Sequence, residues 1–149
     1  KDTKLILACF LHDIGHLLEF EKENNLETMG IYGIKDHEKL GAKFLRNNNI
    51  KYPIPELVEN HVKVKKYLVY KNSDYFNNLS EASKKTLNYQ GGKMTMEEAN
   101  DFENDTLFKD SLILRHYDDN SKKVNIELKS LDYYREMLRK YLSISLNPP

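Results

Sequence analysis

The chain has 149 residues, enough for one domain, and its 23 Lys and Arg balance 23 Asp and Glu. A formal net charge of zero and the lack of a basic tail give no electrostatic pull toward nucleic acid or an anionic membrane surface, so neither is expected as a partner. One cysteine, Cys9, excludes an internal disulfide framework and fits a reducing, cytoplasmic setting; no apolar run approaches the about 20 residues that a spanning helix needs, and no signal peptide is visible.

Helical spacing dominates. Leu5, Ala8, Cys9 and the run from Leu11 through Leu18 read as one largely apolar helix. It is under way by Lys4 with no capping box before it, and the sequence opens at Lys1 rather than Met, so a natural N-terminus further upstream is expected. A polar loop from Glu21 to Lys35 carries Gly30 and Gly33. Asp36 is placed to N-cap a second helix with Leu40, Ala42, Phe44 and Leu45 on its apolar side, ended by Asn47-Asn48-Asn49. Pro53 and Pro55 open a third helix, Glu56 to about Tyr70.

Ser80 starts a short helix to about Leu87, and Gln90-Gly91-Gly92 must turn. Thr95 with Glu98 is a capping box for Met96 to Phe102. Thr106 to Tyr117 and Leu131 to Leu142 read as the last two helices, and Asn147-Pro148-Pro149 as a tail. The one doubtful strand is Val124 to Leu128, and no repeat is visible. The expectation is an all-α helical bundle of one domain.

The segment LACFLHDIGHLL sets His12, Asp13 and His16 in an apolar run. Burying a carboxylate and two imidazoles is costly unless a partner charge or a metal compensates. An Asp has two oxygens and can touch two ions. His37 opens DHEKLGAKFL, His61 sits in ENHVKVKKYL, and Asp118 follows an apolar helix in LRHYDDNSK. His12, Asp13, His37, His61 and Asp118 thus form a mixed histidine–carboxylate set from four helices, the way bundles build dinuclear sites. Such N/O ligands suit iron, zinc, manganese or magnesium rather than soft metals.

The ordered HD, HE, NHV and late Asp pattern resembles the HD-domain superfamily, all-α and metal-dependent, most of whose members hydrolyse phosphate esters. The segments SEASKKTLNYQGGKM and LILRHYDDNSK resemble a narrower branch, the mixed-valence diiron oxygenases that cleave the carbon–phosphorus bond of hydroxylated aminophosphonates; myo-inositol oxygenase is a distant relative. That resemblance implies two iron ions, Fe2+ and Fe3+, bridged by Asp13. His37 and His61 would hold one, and His12 and Asp118 the other, with one more histidine from an upstream helix. The domain is accordingly expected to lack an N-terminal helix. Tyr117 stands where that branch usually has Trp.

The resemblance also implies a small anionic substrate bearing phosphonate or phosphate. Lys65 lies four residues after His61, Arg115 three before Asp118, and His16 four after His12, each sharing a helical face with its ligand. Lys65, Arg115 and Ser83 would hold the phosphonate, with Gln90 a weaker choice for the pocket wall. His16 would position the substrate hydroxyl or move a proton, and His16 and Lys65 are the catalytic candidates. Plainer readings stay open: Lys65 in a solvated Lys63, Lys65, Lys66 face, Ser83 as a helix-start hydroxyl, Asp119 in place of Asp118. His116 should point away. The rival functions are an HD phosphohydrolase using Zn2+, Mn2+ or Mg2+, and a silent module that only binds a ligand. Oligomeric state is not legible.

Overall fold

A computed structural model describes residues 2–20, 26–121 and 127–146, with the side chains of 145 and 146 excepted. Helix α1 spans Thr3–Leu11 and is capped after all: Asp2 is extended and its carboxylate accepts from the Lys4 backbone N–H at 2.9 Å. Leu7, Ala8 and Leu11 are its buried face.

The long first helix expected through Leu18 does not form. The α-helix stops at His12, and a 3₁₀ segment, Ile14–Phe20, follows. Close backbone packing explains the break. A Cβ on Gly15 would lie 1.9 Å from the His37 carbonyl oxygen, and one on Gly41 would lie 3.0 Å from the Gly15 nitrogen. The 3₁₀ segment therefore crosses the next helix backbone on backbone, and Asp13 falls in the bend.

Helix α2 spans His37–Asn47. Asp36 precedes it in the left-handed region (φ 56°) and makes no side-chain cap; its carboxylate pairs with Lys39 at 2.7 Å instead. Helix α3, Ile54–Lys71, starts two residues earlier than the spacing suggested, with Pro55 in its first turn. It is the central element and packs against α1, α2, a short helix α4 (Ser73–Asn78) and α7 (Phe108–Ser121). Asn60 of α3 donates to Ser111 of α7 at 3.2 Å, a buried polar tie inside this packing.

Sequence reasoning missed α4, which Asn72 caps through two backbone N–H groups. Ser80 caps α5, Glu81–Tyr89. Gly91 and Gly92, with φ of 86° and 74°, make the expected turn. The Thr95–Glu98 capping box opens α6, Met96–Glu103, as expected. Helix α7 begins two residues later and ends four residues later than the expected 106–117, so Asp118 and Asp119 lie inside it. Helix α8 spans Leu131–Leu146 and is pinned by the Tyr141 hydroxyl, which donates to the Lys51 carbonyl and accepts from the Lys51 N–H.

The main core joins Leu7, Leu11, Leu45, Leu57, Val58 and Leu114 of α1, α2, α3 and α7; Val64, Tyr67, Ala99 and Phe102 form a second cluster with α6. Among the described residues the fold is all-α, with one isolated antiparallel bridge between Thr28 and Ile34. The expected strand at 124–128 falls largely, and the tail at 147–149 wholly, outside the described residues.

Candidate metal centre

The helix break after Leu11, the first residue of α2, the middle of α3 and the end of α7 meet at one point. His12 Nε2 stands 3.3 Å from Asp13 Oδ2 and 3.6 Å from Asp118 Oδ1. On the other side, Asp13 Oδ1 stands 3.4 Å from His37 Nε2 and 3.6 Å from His61 Nε2, and those two nitrogens are 3.1 Å apart. Ligands at about 2.0–2.2 Å from one ion in tetrahedral or octahedral order lie about 2.8–3.6 Å from each other. Asp13 Oδ1 with His37 and His61 has that spacing, and Asp13 Oδ2 with His12 and Asp118 comes close to it. Each oxygen of Asp13 faces a different donor group.

The ring orientations suit ligation too. His12 Nδ1 donates to the Cys9 carbonyl at 2.8 Å, and His61 Nδ1 donates to the Val58 carbonyl at 2.6 Å. Each ring thereby spends its N–H on its own helix and turns Nε2 to the centre, the second-layer arrangement that fixes a ligating tautomer. Where two such nitrogens sit at hydrogen-bonding distance, either one carries the proton between them or both lone pairs face a cation.

The charge pattern is equally marked. Burial opposes charge on His12, but hydrogen bonds to Asp118 and Asp13 outweigh it and push the ring up to about 10. Partial desolvation within the cluster opposes charge on Asp13, whose side chain is still 56% exposed, yet His12 and His37 hold its carboxyl well below the usual carboxylate range. Burial, then His37, pushes His61 down to about 3. With imidazole and carboxylate donors and no thiolate among these groups, the residues fit iron, zinc or manganese.

The flanking residues divide. The His16 ring stacks on His37, centroids 4.0 Å apart, and its Nδ1 accepts from the Ile34 N–H at 3.1 Å. Burial, then His37, lowers its pKa, so at neutral pH the ring is neutral and carries its proton on Nε2. Asp13, His16 and His37 also offer ligand atoms within 4.8 Å of one another, so His16 borders the centre directly. Gly33 (φ 93°) leaves room for it, since a Cβ there would come within 2.6 Å of the His16 ring.

Lys65 does not belong to a solvated lysine face. It is buried, and its Nζ donates to Thr86 Oγ1 at 3.0 Å. That contact joins α3 to α5 one turn after Ser83, whose carbonyl accepts from the same Thr86 hydroxyl. Ser83 itself, half-buried, accepts from the Ser80 hydroxyl at 3.0 Å in the first turn of α5. Gln90 lines a cleft of about 640 Å³ with Glu38, Lys63, Lys66 and Tyr89. The cleft adjoins the cluster of candidate ligands through Glu38, the neighbour of His37.

Arg115 is buried and held on three sides. Nη1 pairs with Asp118 Oδ2 at 2.8 Å, Nη2 with Asp119 Oδ1 at 2.7 Å, and Nε donates to the Tyr75 hydroxyl at 2.8 Å. Tyr75 in turn donates to Asp119 Oδ2 at 2.8 Å. Asp118 therefore shows one oxygen to Arg115 and the other to His12, while Asp119 serves the arginine. His116 and Tyr117 are exposed, as expected of His116. Sequence reasoning missed Tyr75, Thr86 and Glu38; only the HE dipeptide offered a signal, for Glu38.

The chain belongs to the HD domain family, whose profile matches residues 1–137. It is 33% identical over 139 residues to the [1-hydroxy-2-(trimethylamino)ethyl]phosphonate dioxygenase (glycine-betaine-forming) of Leisingera caerulea, covering 92% of this chain and 68% of that protein. It is 36% identical over 131 residues to the hydroxymethylphosphonate dioxygenase of Gimesia maris, covering 87% and 63%. An uncharacterized protein of Acanthamoeba polyphaga mimivirus is 48% identical over 147 residues, covering 99% and 66%. The chain thus spans about two thirds of the length of these relatives.

Proposed function

We propose that the protein is a diiron oxygenase that uses dioxygen to cleave the carbon–phosphorus bond of a small hydroxylated phosphonate, an aminophosphonate by preference. The observation that carries this reading is the Asp13 carboxylate, whose two oxygens face His37 with His61 and His12 with Asp118. The names of the two dioxygenase relatives support oxygenase over hydrolase chemistry. For a substrate R–CH(OH)–PO3²⁻, one O2 yields one carboxylate, one hydrogen phosphate and one proton, so atoms and electrons balance without an external reductant.

When bound, the iron pair would supply the activation of dioxygen. His12, Asp13, His37, His61 and Asp118 are its proposed ligands. Neutral His16 offers an Nε2–H donor, suited to orienting the substrate hydroxyl. Lys65, desolvated between α3 and α5, supplies a positive charge for the phosphonate, with Ser83 beside it on α5. Arg115 has five N–H donors, and Tyr75, Asp118 and Asp119 engage three groups of them. Its remaining donors are the proposed phosphonate contacts. Orientation by these residues and exclusion of water are the protein's share of catalysis.

A phosphohydrolase is the second reading, favoured by the same donor set: a dinuclear centre of this kind also suits activation of water toward a phosphate ester. The test is iron loading followed by O2 uptake with hydroxylated phosphonates and a search for the EPR signal of a mixed-valence pair. Phosphate release from phosphate monoesters with zinc or manganese and no O2 uptake would replace the oxygenase by the hydrolase.

A further inference from the structure

We infer that Glu38 is a positioning residue of the centre: its carboxylate accepts a hydrogen bond from His37 Nδ1–H and thereby fixes Nε2 of that ring as the ligating nitrogen. This rests on the reading of His37 as a metal ligand. Glu38 is 5% exposed in the first turn of α2, directly after His37, which is equally buried. Among the described residues, Glu38 Oε2 and His37 Nδ1 are both buried without a hydrogen-bond partner. They face each other at 3.7 Å.

A buried polar atom left unpaired is costly, and two such atoms in apposition are each other's remedy. A charge-assisted N–H···O⁻ bond needs about 2.7–2.9 Å, so a shift of somewhat under about 1 Å closes the pair. That bond forms only with the proton on Nδ1, which leaves the Nε2 lone pair directed at Asp13 Oδ1 and His61.

His12 and His61 donate hydrogen bonds from Nδ1–H to backbone carbonyls, those of Cys9 and Val58. His37 is set apart by a carboxylate in that place. A carboxylate behind an imidazole makes the ring a stronger donor than a carbonyl does, and loss of such a partner typically costs 10–100-fold in metal affinity, about the range expected here. An acid in a first helical turn also complements the helix dipole. That plainer role does not need a side chain buried against the neighbouring imidazole.

The test uses the whole chain with Zn2+ as a redox-silent probe, in wild type, Glu38→Gln and Glu38→Ala. Zinc affinity is measured by competition with a chromophoric chelator, and the His37 tautomer by long-range ¹H–¹⁵N NMR of the zinc-loaded protein. The expected result is about 10–100-fold weaker zinc binding in Glu38→Gln, with helix content and the unfolding midpoint in chelator unchanged. Wild-type His37 should carry its proton on Nδ1. Wild-type affinity in Glu38→Gln, or ligation of His37 through Nδ1, overturns the inference while leaving the centre standing. A wild-type protein whose His37 resonances do not respond to zinc overturns the centre and, with it, the inference.

Discussion

Replacing Arg115 by Met should destabilise the protein by about 3 kcal/mol even with all metal removed. The Arg115 side chain is 4% exposed and lies 2.8 Å from Asp118 and 2.7 Å from Asp119, whose side chains are 12% and 29% exposed. Removing one partner of a buried ion pair costs about 3–5 kcal/mol, because the carboxylates left behind are uncompensated. The partial exposure of Asp119 draws the expectation to the low end of that range. For a chain of this length, a loss of this size lowers Tm by roughly 6–12 °C.

Arg115→Lys should recover only part, since an ammonium cannot serve both carboxylates and the Tyr75 hydroxyl in a planar fork. The assay is urea unfolding in the presence of chelator, which removes any stabilisation by bound metal. A loss below about 1 kcal/mol in Arg115→Met would refute the buried-network argument and return Arg115 to the class of surface ion pairs.

Asp13→Ala should abolish binding at both halves of the centre, read as metal content after gel filtration; retention of metal by the variant would refute the bridging role. Gly15→Ala places a Cβ 1.9 Å from the His37 carbonyl, so unfolding in chelator should show a loss of about 3 kcal/mol or more, and a wild-type urea midpoint would contradict the packing described. His12 is pushed from 6.5 up to about 10 by carboxylates that outweigh burial. Its folded pKa is the raised one, so its contribution is complete below about pH 6.5 and is lost as pH rises through about 10. In chelator, the stability gap between wild type and His12→Gln should therefore narrow between pH 6.5 and 10; a gap that widens would reverse the sign.

The meeting of His12, Asp13, His37, His61 and Asp118 was legible because each of these residues sits in its own short pattern: HD, HE, NHV and a late Asp with an arginine three residues before it. The all-α class followed from helical spacing alone. The break in the first helix was not legible, since the apolar pattern runs unbroken from Leu11 to Leu18. What stops the helix is the Gly15–His37 backbone approach, a tertiary contact.

The end of α7 was misjudged for a related reason. The helix was expected to end at Tyr117, but Arg115 neutralises both carboxylates that follow and the helix runs on to Ser121. Helix α4, with the sequence SDYFNN, has no apolar stripe to announce it, and its contribution is one hydroxyl, that of Tyr75. The four-residue spacing to His61 singled out Lys65 from Lys63 and Lys66, and burial against Thr86 removes the solvated-face alternative.

The most direct measurement of the central claim is simultaneous O2 uptake and phosphate release by the iron-loaded protein given a hydroxylated phosphonate. One O2 should be consumed per phosphate released, alongside a mixed-valence diiron EPR signal that Asp13→Ala lacks. Phosphate release from a phosphate monoester without O2 consumption would contradict the claim.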